Sequence, residues 1–242
     1  KLAQLREAMA KHGATHHLIS TVDDVAWALN LRGSDVTYNP VFLAHLLIAP
    51  GGATLFVGGG KIDATLQATL ARDGVTLLPY AEAGVALAAL PADAKLLLDP
   101  KRVTLGLRER AKATVVEAIN PSTLLKSRKS EAEAAHIREA MRQDGAAMCE
   151  FYAWFEAALG RERITELTID ERLSAARARR PGFVGLSFST IAGFNANCAM
   201  PHYRATTASD RPLTAGALYL IDSGGQYLDA TTDITRTVAL GA

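Results

Sequence analysis

Asp222 and Asp233 are the residues of this chain best suited to do chemistry. They lie in Leu220-Ile-Asp-Ser-Gly-Gly-Gln-Tyr-Leu-Asp-Ala-Thr-Thr-Asp-Ile-Thr-Arg-Thr. The first ends an apolar run, Leu218 to Ile221; the second follows eleven residues later, at the head of an alternating stretch. Side chains alternate along a strand. Asp233, Thr235 and Thr237 are therefore expected on one face, with Ile234, Arg236 and Val238 on the other. A carboxylate beside a core is costly unless something neutralises it. Divalent cations do so, and two carboxylates on neighbouring strands can hold one or two of them. A hydrolytic metal site is the reading that follows. Each Asp alone has an ordinary alternative. An Asp before Ser-Gly-Gly can accept hydrogen bonds from its own turn, and Asp233 could pair with Arg236. The two together, set among polar residues, favour the metal.

Other candidates are weaker. His202 follows Met-Pro and precedes Tyr-Arg; from periodicity alone it reads as a structural residue. An imidazole there could also donate a hydrogen bond to an oxyanion or move a proton near neutral pH. Thr235 either orients the Asp233 carboxylate or fills a strand as a β-branched residue. Arg236 points away from that face and reads as structural. Arg32 and Asp35 follow a helix and read as a contact between domains rather than as part of a substrate mouth. Cys149 and Cys198 are far apart and are expected to be buried free thiols. Cys198 lies four residues before His202 but lacks a triad pattern and reads as a packing residue. Gly58-Gly59-Gly60 lacks the following Lys and Ser/Thr of a phosphate loop.

The elements that must carry these residues fall into two halves. With 242 residues, 49% of them apolar, the chain can build one large or two medium domains. A net charge of +1 suggests neither a nucleic-acid nor an anionic-membrane partner. The apolar runs Val41 to Ala49 and Val85 to Leu90 are too short to span a bilayer. No signal peptide precedes the first helix, so a cytoplasmic setting is expected. The first half alternates helical and strand patterns: helices over 2–11, 23–30, 62–71 and 81–90, and strands over 17–20, 41–48, 53–57, 75–78 and 95–98. Pro50-Gly51-Gly52 marks a hairpin. This predicts an α/β domain with a mixed sheet over 1–126. The boundary is expected within 122–129. Ser130 with Glu133 forms a capping box for a long helix ending at Gly160. A second box, Thr168 with Glu171, is expected to open another helix that ends near Arg180-Pro181. Strands are expected over 184–191, 200–204 and 217–222. The second domain, 127–242, thus reads as helices over an antiparallel sheet.

The Asp222 to Thr237 string resembles the metal-binding segment of the pita-bread metallopeptidases, and within them the Xaa-Pro aminopeptidases (aminopeptidase P). Asn30-Leu-Arg-Gly-Ser-Asp-Val and Asn39-Pro-Val-Phe resemble the middle domain of the three-domain form. Ser187-Phe-Ser-Thr-Ile and Pro201-His-Tyr resemble the segment before the first metal Asp. These matches span nearly the whole chain in the family's order. The resemblance implies a creatinase/prolidase-type α/β domain followed by part of a pita-bread α+β catalytic domain. It implies that Asp222 binds one metal and that Asp233 bridges two divalent ions, manganese first, with zinc or cobalt as alternatives. A hydroxide held between them would attack the peptide bond before proline. His202 would contact the scissile peptide without binding metal. Peptides with proline in second position would be substrates, and the enzyme would be a homodimer.

The resemblance also implies one more His and two Glu ligands after Asp233, whereas Ile234 to Ala242 holds neither residue type. His12, His16, His17, His45 and His136 lie outside the matching positions. The chain is therefore expected to be a fragment of a larger enzyme, inactive alone. Three alternatives remain: a prolidase-like dipeptidase, a creatinase-like amidinohydrolase, and a non-catalytic pita-bread module that binds peptides or proteins. Asp222 and Asp233 argue against the last two. The middle-domain match argues against the first.

Overall fold

The computed structural model describes residues 1–241 and falls into two compact units. The first comprises 1–36 and 40–128; the second comprises 37–39 and the residues from Lys129 onward. In the first, α1 (Leu2–Lys11), β1 (His16–Ile19), α2 (Val22–Leu29), β2 (Ala44–Ala49), β3 (Gly52–Val57), α3 (Ala64–Arg72), β4 (Val75–Pro79), α4 (Ala83–Ala88), β5 (Lys95–Leu98), α5 (Leu105–Arg108), β6 (Thr114–Glu117) and α6 (Pro121–Ser127) follow in order. The sheet order is β4-β3-β2-β1-β5-β6. It is mixed: β2 runs antiparallel to both β1 and β3, and the other pairings are parallel.

Both sheet faces are covered, so the strands are nearly continuous apolar runs. Alternation sorts them into two cores. Ile19, Leu46, Ile48, Leu55 and Leu97 pack with Leu5, Met9 and Val25 of α1 and α2. Leu18, Leu47, Phe56, Leu96 and Leu98 pack with Ala83 and Leu87 of α4.

The second unit holds α7 (Glu131–Ala158), α8 (Glu166–Ala178), β7 (Phe183–Leu186), β8 (Ile191–Phe194), β9 (Ala217–Ser223), β10 (Gly225–Tyr227) and β11 (Ile234–Leu240). The capping box forms: Ser130 Oγ accepts from Glu133 N–H, and Glu133 accepts from Ser130 N–H. Gly160 adopts φ 77° just past the end of α7, a left-handed position that glycine takes freely. Strands β11, β9 and β8 form one antiparallel sheet and β10 pairs with β7. Phe151, Phe155, Ile169 and Leu173 of the two helices pack on Ala192, Tyr219, Ile221 and Ile234 of the larger sheet.

Four expectations need correction. Helix α8 starts at Glu166, capped by Thr165, whose side chain accepts from Thr168 N–H; the hydroxyl that caps lies one turn before Thr168. The stretch 184–191 is two strands in different sheets. Residues 200–204 form no strand: Tyr203 N–H closes a turn onto Met200 C=O, and Pro201 has no N–H to give a ladder. Helix α6 begins with Pro121 at its first turn and packs on α1 and α2, and the first unit closes at Arg128 just after it. The thiols are free, as expected, but Cys149 is exposed and Cys198 half-buried.

Candidate metal centre

Strands β9 and β11 pair in a register that sets Thr235 opposite Asp222 and Ile234 opposite Ser223. Tyr219 and Ile221 of β9 point into the helix-covered core. Alternation therefore turns Asp222 to the other face of the sheet. Asp233 immediately precedes β11 and faces the same way as Thr235.

The two carboxylates meet. Partial burial, then the Asp222 charge and a hydrogen bond shared with that carboxylate, raise the Asp233 pKa above its ordinary value. Two facing carboxylates cannot both ionise cheaply. Neither has an ion-pair partner among the described residues: Arg236 donates to Thr235 C=O instead. This all-oxygen pair with surplus negative charge is the donor set that a hard divalent cation fits.

Thr235 acts differently from the sequence expectation. Its hydroxyl donates to Asp222 Oδ1 at 2.8 Å, not to Asp233. It orients the carboxylate of the neighbouring strand, and one Asp222 oxygen is thereby used.

The turn between the two aspartates is knit by residues that periodicity gave no reason to select. Gly224 C=O accepts from Ser187 N–H at 3.1 Å, and Ser187 Oγ donates to Thr232 C=O at 2.9 Å. Thr232, almost fully buried, accepts from Gly225 N–H on its hydroxyl at 2.9 Å. A Cβ on Gly224 would lie 2.0 Å from Thr232 O and 2.3 Å from Ser187 Oγ. Only glycine permits this approach. The Gly-Gly pair after Asp222-Ser223 was the available signal.

His202 lies on the turn after the 3-10 segment Asn195–Ala199. It is exposed, has φ 58°, and makes no hydrogen bond or ion pair among the described residues. Cys198 Sγ donates to Gly193 C=O at 2.9 Å, so it serves the loop. Arg32 and Asp35 line a cleft of about 160 Å³ within the first unit. Asp35 accepts from Leu43 N–H and pairs with Lys61. Its charge is used inside that unit, contrary to the reading as a contact between domains.

Known families match both halves of the chain. Residues 1–133 match the creatinase/prolidase N-terminal domain family, and residues 135–242 match metallopeptidase family M24. The chain belongs to the M24 metallopeptidases that carry a creatinase/prolidase N-terminal domain. It is similar along its whole length to Xaa-Pro aminopeptidase 1 of Dictyostelium discoideum, at 35% identity over 246 residues. It spans 39% of that relative, so about two-fifths of its length is represented here. A crystal structure of X-prolyl aminopeptidase from Caenorhabditis elegans superposes with a TM-score of 0.91 at 28% identity, covering 99% of this chain and 40% of that one. That protein is described as a cytosolic enzyme with a di-nuclear active site. The prolidase of Pyrococcus horikoshii shares the fold, with a TM-score of 0.69 at 21% identity over 100% of this chain and 65% of that one.

No group of three or more His, Cys, Asp or Glu side chains able to hold a metal occurs among the described residues. No helix among them is long and apolar enough to cross a membrane.

Proposed function

We propose that these residues serve a metal-dependent Xaa-Pro aminopeptidase, which releases the N-terminal residue of a peptide whose second residue is proline. The observation that carries this reading is the Asp222–Asp233 pair, two uncompensated carboxylates meeting on adjacent strands. The family supports the reaction class, and the di-nuclear site of the nematode relative supports two ions. Asp222 and Asp233 would together hold the ions, with Asp233 the more critical of the two. Manganese suits the carboxylate oxygens best, with zinc or cobalt as alternatives. Bound there, divalent ions supply Lewis acidity and lower the pKa of water. Thr235 holds the Asp222 carboxylate in one orientation. His202 would donate its ring N–H to the oxygen of the scissile carbonyl, or return a proton to the leaving amine.

Two carboxylates are fewer than the three or more protein ligands of a catalytic shell. Residues 1–242 by themselves are expected to bind metal weakly and to leave Xaa-Pro peptides intact. A homodimer in the cytoplasm is proposed on the family's pattern and on the cytosolic relative. The boundary between the domains is proposed at 126/127.

The test is metal content and turnover measured on the same variants of the whole metal-loaded protein. Asp233→Ala should lose both. His202→Ala should keep its metal and lose about 10²–10³ in kcat, the worth of one oxyanion donor. Equal metal loss in the two variants would refute the division of roles. Hydrolysis of Xaa-Pro dipeptides but not of longer Xaa-Pro peptides would assign the chain to the dipeptidases instead.

A further inference from the structure

His202 is held in an unusual backbone conformation by something other than itself. A non-glycine residue at φ 58° costs roughly 1 kcal/mol or more, and persists only where its surroundings impose it. The side chain of His202 makes no bond that could impose it, so the constraint comes from its neighbours.

Those neighbours converge on one carboxylate. Glu166, the first residue of α8, is fully buried. Its Oε1 accepts from Phe194 N–H at 2.8 Å and from the Asn197 side-chain amide at 2.9 Å. Its Oε2 accepts from the Tyr203 hydroxyl at 2.8 Å. The second Asn197 amide hydrogen reaches the Tyr203 oxygen at 3.0 Å, which closes the network. Glu166 therefore grips the segment at its entry, its middle and its exit, and the exit residue directly follows His202.

The neighbourhood reinforces the grip. A carboxylate at the first turn of a helix is favoured by the helix dipole. Bonds to an ionised acceptor are about twice as strong as neutral ones. The backbone of Asn197 and Cys198 packs so closely on Gly193 that a Cβ there would come within 3.1 Å of Cys198 N.

We propose that Glu166 is the positioning residue for His202: it touches neither substrate nor metal, but fixes the turn that presents the imidazole. This rests on the role given to His202 above. It adds a buried residue, 36 positions upstream, that no sequence motif marked.

Three variants test it. Glu166→Ala removes all three anchors, Tyr203→Phe removes one, and Glu166→Gln keeps an acceptor oxygen for Phe194 and Asn197. Amide hydrogen exchange on this chain reads the loop directly. Protection over 194–203 should fall strongly in Glu166→Ala, partly in Tyr203→Phe, and least in Glu166→Gln, while α7 and β9 stay protected. In the whole metal-loaded protein, Glu166→Ala should lower kcat on the order of 10²-fold, as a misplacement of about 1 Å does, with KM little changed. The same order of effect should hold across the variants, with Glu166→Gln closest to wild type. Added to His202→Ala, Glu166→Ala should cost nothing further. Unchanged protection over 194–203 would overturn the proposal, as would losses that multiply in the double variant. If His202→Ala lowers kcat and Glu166→Ala does not, the role of His202 survives and that of Glu166 fails. If His202→Ala leaves kcat intact, the proposed function of His202 fails, and this role fails with it.

Discussion

Replacing Arg177 by Met should show how far the second unit depends on one buried ion pair. Arg177 Nε and Nη2 donate to the two Asp144 oxygens at 2.6 and 3.1 Å, and both side chains are fully buried. The Tyr227 hydroxyl adds a bond to Asp144 Oδ1 at 3.0 Å. Helices α7 and α8 and strand β10 thus meet on the Asp144 carboxylate, and Tyr227, the β10 partner, lies five residues before Thr232 and the approach to Asp233. The same charge holds the Tyr227 phenol far above its ordinary pKa, together with burial, the larger cause. Without the guanidinium, Asp144 keeps one of its three bonds and has no counter-charge. Breaking a buried pair from one side costs about 3–5 kcal/mol. With a urea slope of about 2 kcal/mol per M, the unfolding midpoint should fall by about 1.5–2.5 M. Fluorescence of Trp154, the tryptophan of the second unit, reports it. Arg177 Nη1 has no partner, so the pair is not fully satisfied. Arg177→Met combined with Asp144→Leu should then recover most of the loss, because apolar replacement of a buried pair is often neutral. A single variant within about 1 kcal/mol of wild type, beside a less stable double variant, would refute this account.

The remaining predictions concern charge and close approach. His17 is buried in the central strand, with Nδ1 at 2.9 Å from Leu97 C=O and Nε2 unpartnered, and burial depresses its pKa from 6.5 to about 4. The folded pKa lies below the unfolded one, so the stability is fully present above pH 6.5 and is lost as pH falls toward 4, by about 3 kcal/mol in all. Urea midpoints of the first unit at pH 8 and pH 4.5 should show that loss, and His17→Phe should flatten it. Asp222→Asn should raise the unfolding midpoint of the metal-free chain at pH 7 and bring the Asp233 pKa back down by NMR titration, because it removes the facing charge. Gly224→Ala should cost about 1–3 kcal/mol, or more, by overpacking against Thr232 and Ser187, and should weaken metal binding in the whole protein.

The regular elements were legible because their signals are local. The apolar runs of β2, β3 and β5, the Ser130–Glu133 box and the Gly160 stop each depend on neighbours within a few residues. The Asp222–Asp233 pair was legible for a related reason, since strand alternation and an eleven-residue return fix which faces meet. What escaped was decided at a distance. Thr165 rather than Thr168 caps α8 within a neighbourhood where Glu166 N–H bonds Arg211 C=O and Leu167 N–H bonds Asp210. Residues 200–204 alternate as a strand would, yet Tyr203 turns inward to Glu166, and Pro201 blocks a ladder. Thr235 satisfies Asp222 because of cross-strand register, which a single strand's pattern does not contain.

The position of the carboxylates follows from packing that has nothing to do with metal. Tyr219 and Ile221 commit β9 to the helical core, with the Tyr219 ring 5.8 Å from that of Phe155. That commitment sends Asp222 to the opposite face, and a slip of one residue would exchange the two sets. Ile234 likewise anchors β11 and leaves its predecessor, Asp233, outward. The core therefore sets the register, and the register brings two like charges together. In the absence of a cation the arrangement is costly, because burial and the facing Asp222 charge both disfavour the ionised Asp233 carboxylate. The strand pairing holds because the surrounding apolar contacts and the Ser187–Thr232 ties outweigh that cost. A scaffold that spends stability to keep carboxylates converging is what a preformed cation site requires. His202 shows the same pattern in a second form: an exposed side chain on a left-handed backbone, with the buried Glu166 network holding the segment around it.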